Sequence, residues 1–149
     1  MPPRRPDKEL LLRKLAATAG QALGRPYVYG AWTQEAPLRF DCSSFTQFCF
    51  KSVGIDLPRL AIEQARLGRC LRKYEPPRAG DLIFIRGKDG RYDRHFPEGI
   101  GHVILVTGPD EVIHARSRKR GGREVGMVTR EPLAKILRRK DITVIKRLI

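Results

Sequence analysis

The sequence predicts an α+β fold, with helices in the N-terminal part and an antiparallel sheet after them. Three observations carry that reading. The first 67 residues place apolar side chains at helical spacing. From residue 81 onward the pattern changes to short β-rich runs, and Gly and Pro punctuate the joints between them. At 149 residues and 41% hydrophobic, the chain can bury a core of its own. We read 1–149 as a single domain, with 1–24 as an N-terminal helix and 25–149 as the core.

Asp7 can cap a first helix running to about Gly24, with Leu12, Leu15, Ala16, Ala19 and Leu23 on its buried stripe. Gly24 and Pro26 stop it, and 25–40 reads as an irregular loop. A second helix begins near Cys42 and ends at Gly54, burying Phe45, Phe48, Cys49 and Val53. A short helix over 61–67 stops at Gly68. Strands are expected at 81–86, 102–107, 111–116 and 124–129. A short helix follows from Pro132 to about Leu137, and 142–149 closes the sheet. The segment 86–101 is a long polar loop, a length often tied to function.

Lys plus Arg number 30 against 16 Asp plus Glu, a formal net charge of +14. Such a balance favours polyanionic surroundings. The basic residues cluster at 116–123 and 138–140 without interleaved aromatics, which argues against base stacking and so against nucleic acid. The start of the chain is basic and then partly apolar, but Lys8, Glu9, Arg13 and Lys14 interrupt it, so no clean signal peptide forms. No apolar run reaches transmembrane length. The expectation is a cytoplasmic, phage-associated or otherwise exported protein. Cys42, Cys49 and Cys70 make an odd count with no CxxC pair, which argues against a disulfide framework and a structural zinc site; no metal or cofactor is expected.

Cys42 sits where a loop turns into a helix. Helix N-terminal potential favours thiolate over thiol, and free N–H groups there can form an oxyanion hole. Cys42 shares the stripe of Phe45 and Cys49, so it should point at the strands, where His102 and His114 lie. Taken alone, each residue has a blander reading: a small buried thiol, two strand histidines, packing aromatics at Tyr27 and Tyr29, a solvated His95, a loop-packing Trp32.

Six motifs in order resemble the NlpC-type family of papain-like cell-wall cysteine peptidases. They are Pro26-Tyr27-Val28-Tyr29-Gly30, Asp41-Cys42-Ser43, Leu57-Pro58-Arg59 with Gln64, Gly80-Asp81-Leu82-Ile83-Phe84, Gly101-His102-Val103 and Ile113-His114-Ala115. The resemblance implies a papain-like fold and hydrolysis of an amide bond in peptidoglycan stem peptides through an acyl-enzyme. It implies Cys42 as nucleophile, His102 as base and His114 as the group orienting it. It also implies Tyr27, Asp41 and Ser43 as substrate contacts, with Asp41 able to pair with a free substrate amine, and Gly80-Asp81 as a structural turn. Ser44 and Ala31 stand where the family usually has Gly. Peptidoglycan-derived peptides, and anionic wall polymers on the basic surface, are the expected partners. The competing readings are an amidase or acyltransferase of related fold and a catalytically silent polyanion-binding module.

One geometric condition follows. His114 can orient His102 only if both project from one face of the sheet. A three-residue loop of Gly108, Pro109 and Asp110, pairing Thr107 with Glu111, satisfies it, whereas a two-residue loop throws the rings apart. The Cys42 sulfur is expected on that same face.

Overall fold

The structure, a computed structural model, describes residues 7–87 and 90–149, with only the backbone at 119, 120 and 124. The basic start at 1–6 lies outside the described residues. The helices are α1 (Lys8–Gln21), α2 (Cys42–Lys51), α3 (Ala61–Gln64) and α4 (Leu133–Leu137), with a 3-10 turn at Thr33–Glu35. The strands are β1 (Arg69–Cys70), β2 (Leu82–Ile85), β3 (His102–Val106), β4 (Glu111–Arg120), β5 (Arg123–Pro132) and β6 (Ile142–Arg147). They form one sheet in the order β1-β6-β2-β3-β4-β5, and every neighbouring pair is antiparallel. This is the expected α+β architecture. Among the described residues no helix is long and apolar enough to cross a membrane.

Asp7 caps α1 as expected, accepting from the Glu9 N–H at 3.0 Å. Both faces of the sheet are covered. On one face Leu15, Ala19, Phe45, Cys49 and Phe50 of α1 and α2 pack on Leu82, Phe84, Val103, Leu105, Ile113 and Ala115. On the other, Leu133 and Ile136 of α4 pack on Ile83, Ile85, Ile104, Val106 and Val112. That is why β2 is buried at every position rather than at alternate ones.

Three expectations need correction. The 25–40 loop contains the 3-10 turn, held by the Trp32 N–H donating to Glu35 at 2.6 Å. Strand β1 was not foreseen; two residues become a strand only because Arg69 and Cys70 pair with Arg147 and Lys146 of β6. The basic run after Arg116 is the outer half of a β4–β5 hairpin, longer than the two short strands expected. It turns at Gly121 and Gly122, both at positive φ (55° and 77°), which suits glycine in a two-residue turn.

Candidate active site

Asp41 begins α2. Its Oδ1 accepts from the Ser44 N–H at 2.8 Å, and Ser44 Oγ accepts from the Asp41 N–H at 3.0 Å. This is a reciprocal capping box, and Ser44, the departure from the family pattern, closes it. Arg59 ties the loop before α3 to the same point. It donates to Asp41 Oδ2 at 2.6 Å, the Ala31 carbonyl at 2.6 Å and Ser43 Oγ at 2.8 Å. Below it, the fully buried Gln64 donates to the Ser43 and Pro58 carbonyls at 3.0 and 2.9 Å and accepts from Thr46 Oγ1 at 2.6 Å. The first turn of α2, and with it Cys42, is held from three directions.

The hairpin between β3 and β4 has the three-residue loop that the histidines require. Val106 pairs with Val112, Leu105 with Ile113, and the Thr107 N–H donates to the Glu111 carbonyl at 3.1 Å. Extending that register sets Ile104 opposite His114, with His102 as its diagonal neighbour. The rings meet: His102 Nε2 and His114 Nδ1 are 2.7 Å apart. Gly101, just before His102, is required by close approach, since a Cβ there would lie 2.7 Å from the Gly87 Cα.

The sulfur is placed differently from expectation. Cys42 packs with the helix-side core, whereas His102 and His114 carry the strand parity of Ile104 and Val112 on the α4 face. The thiol meets the histidine strand at its beginning, where it receives backbone hydrogen bonds from Val103, the residue after His102, and from Ser43. The helix packed on one face thus meets β3 at its open end, one residue from His102 in sequence.

Burial pushes the Cys42 thiol up to about 11, and the Asp41 carboxylate adds to the rise against those two backbone bonds. In the free protein, burial and Asp41 thus oppose the preference of the helix end for thiolate. The capping carboxylate places negative charge where the helix end offers positive potential. Burial also holds the His102 ring down at about 3, assisted by His114, Arg139 and Arg116. Burial lowers His114 too, although the Glu131 carboxylate opposes it. All three shifts favour the neutral forms of the thiol and the imidazoles.

Tyr27, His102, His114, Arg116 and Arg139 line a cleft of about 320 Å³. Asp41 and Ser43 are buried and already partnered by Arg59, so neither is open to a peptide in this conformation. His95 and Trp32 are exposed, Cys49 is buried and Cys70 is exposed. Among the described residues no group of three or more His, Cys, Asp and Glu is arranged to hold a metal ion.

A family model described as NlpC/P60 matches residues 24–138. The chain belongs to the NlpC/P60 family. It is 35% identical over 106 residues to a gamma-D-glutamyl-L-lysine dipeptidyl-peptidase of Bacillus cereus, covering 71% of this chain and 29% of that protein. It is 34% identical over 103 residues to a probable endopeptidase p60 of Listeria welshimeri, covering 68% and 17%. The chain thus spans less than a third of these curated relatives. The solved structure of the peptidoglycan hydrolase RipB from Mycobacterium tuberculosis matches with a TM-score of 0.69 and 26% identity, over 99% of this chain and 69% of that one.

Within this NlpC/P60 fold the structure adds a residue that sequence reasoning missed. Glu131, at the end of β5, lies with its Oε2 at 2.5 Å from His114 Nε2. Its Oε1 accepts from Arg116 at 3.0 Å and from Lys135 at 2.7 Å. Burial alone would raise the Glu131 carboxyl, but the hydrogen bonds from Lys135 and His114, with Arg116 nearby, outweigh it and hold it at about 2. A sequence signal existed. A two-residue turn at Gly121-Gly122 pairs His114 with Thr129 and so puts Glu131 on the histidine face.

Proposed function

We propose that this chain is a cysteine peptidase that hydrolyses an amide bond in peptidoglycan stem peptides, with Cys42 as nucleophile, His102 as base and His114 orienting His102. The observation that supports this most is the hydrogen-bonded His102–His114 pair on a strand whose next residue, Val103, bonds through its backbone to the Cys42 thiol at a helix N-terminus. In this reading His102 takes the thiol proton as the sulfur attacks the carbonyl carbon. The developing oxyanion is stabilised by N–H groups at the start of α2. The amine leaves with the proton from His102, and water, deprotonated by His102, cleaves the thioester and frees the thiol. Tyr27 lines the cleft, and Asp41 and Ser43 would meet the peptide once Arg59 releases them. Residues 25–149 form the catalytic core, and α1 (Lys8–Gln21) packs on it through Leu15 and Ala19.

The B. cereus relative is named for a γ-D-glutamyl-L-lysine linkage, which makes the bond after the γ-glutamyl group the first to test. Purified stem peptides should yield, by mass spectrometry, a fragment ending in D-glutamate and one with a new amine on the diamino acid. Intact peptides after prolonged incubation would reject this reading. The exposed Arg118 and Arg123 on the β4–β5 hairpin offer contacts to anionic wall polymer. Such binding should weaken steeply with added salt, since the Debye length falls to ~3 Å at 1 M; binding indifferent to salt would count against it.

A further inference from the structure

We propose that Glu131 is a positioning residue that acts through His114 to fix the tautomer of His102, leaving His102 Nδ1 unprotonated to receive the Cys42 proton. The proposal rests on the reading of Cys42 and His102 as nucleophile and base.

One chain of contacts fixes where the protons lie. Glu131 Oε2 is 2.5 Å from His114 Nε2, and His114 Nδ1 is 2.7 Å from His102 Nε2. An ionised carboxylate can only accept, so His114 Nε2 must carry a hydrogen. A neutral His114 then presents a lone pair at Nδ1, and His102 Nε2 must donate to it. His102 Nδ1 is left bare, and a bare ring nitrogen is what a base requires.

The opposite arrangement is also conceivable. Were His114 an imidazolium, its Nδ1–H would donate to His102 Nε2 and leave the hydrogen of His102 on Nδ1, where it blocks proton transfer. The charged and titratable groups around His114 decide between the two. Arg116 on β4 and Arg139 beyond α4 oppose a positive ring, and Glu131 on β5 favours one; the two rings also oppose each other's charge, as the lowering of His102 by His114 shows. Burial of His114, 2% exposed, opposes it further. Arg116 and Lys135 hold Glu131 ionised and in place, and the β4–β5 register puts Thr129, two residues before Glu131 and on the same face, opposite His114. In serine-protease triads the same kind of orienting carboxylate, when made an amide, costs about 10⁴-fold in kcat through the wrong tautomer.

The test is nitrogen-15 NMR of the histidine rings in the full chain carrying Cys42→Ala, so that it is independent of turnover. The expected spectrum has hydrogen on Nε2 of both His102 and His114. Adding Glu131→Gln removes the compulsion, because an amide can accept from Nε2–H or donate to a bare Nε2. Both His102 tautomers should then appear. In the Cys42 enzyme, Glu131→Gln should lower kcat about 10-fold or more with KM little changed, and the alkaline side of the pH profile should move. If Glu131→Gln does not fold, Glu131→Asp is used. Its shorter reach should loosen the contact and mix the tautomers in the same way. Hydrogen on His102 Nδ1 in the parent, or a pure Nε2–H population unchanged by the substitution, would overturn the proposal. Failure to cleave stem peptides would leave the tautomer result standing and reject only the substrate reading.

Discussion

Asp81 and Glu131 are both buried carboxylates held by arginine, yet they serve the molecule differently. Asp81, fully buried at the entry to β2, accepts from Arg147 Nε and Nη2 at 2.8 Å each and from the Arg78 N–H at 2.9 Å. Each of these bonds ties one piece of backbone to another, fastening β6 to the start of β2. Glu131 gives one oxygen to Arg116 and Lys135 and keeps the other for a histidine. A buried carboxylate whose partners are a permanent cation and a backbone N–H is structural. It gains a chemical role when one of its oxygens meets a group that can lose a proton.

The sharpest way to break this comparison is to remove each carboxylate. Asp81→Ala leaves the Arg147 guanidinium, 10% exposed, with Glu75 as its remaining acidic partner. It should cost about 3 kcal/mol in denaturant unfolding. Glu131→Gln keeps a hydrogen-bonding group of the same shape and should cost about 1 kcal/mol. If Glu131→Gln proves the more destabilising, the division between structural and chemical carboxylates is wrong.

Acid stability separates the two further. The folded protein holds His102 at about 3 against an ordinary 6.5, so the unfolded chain binds the extra proton between those values. Stability should therefore fall as pH drops from 6.5 towards 3. Glu131, at about 2 against 4.5, has the depressed carboxylate's sign: its contribution is present above 4.5 and lost towards 2. Melting temperatures of His102→Gln should show a shallower decline between about pH 6.5 and 4.5, the remainder coming from His114, whose ring is also lowered. An unaltered decline would mean that His102 is not the group that titrates.

A smaller effect concerns the thiol. Cys70 is exposed and would react first, so the measurement uses Cys70→Ser. With the Cys42 thiol at about 11, its alkylation by iodoacetamide should be slow at pH 6 and still rising above pH 9. A plateau below pH 7 would show a thiolate–imidazolium pair in the free protein.

Much of the site was legible because local rules place it. Asp41 before an apolar helical stripe marks the start of α2, and Gly108-Pro109-Asp110 sets the register that joins His102 to His114. What was missed depends on distant partners. Arg69–Cys70 is a strand only through the C-terminal strand, and Arg59 binds Asp41 across 18 residues of sequence. The hairpin beyond Arg116 was obscured because its charges hide the alternation of a strand, and stopping β5 at Thr129 cut off Glu131 two residues short. The face on which the Cys42 sulfur lies was misjudged for a related reason. Strand parity describes the middle of a sheet, and the thiol meets β3 at its open end.

The central claim is that Cys42 carries the chemistry. The direct measurement is hydrolysis of purified stem peptides by the parent protein and by Cys42→Ala, with thermal melts of both. The account predicts at least about a 10³-fold loss of turnover with an unchanged melt; wild-type turnover in a folded Cys42→Ala would contradict it.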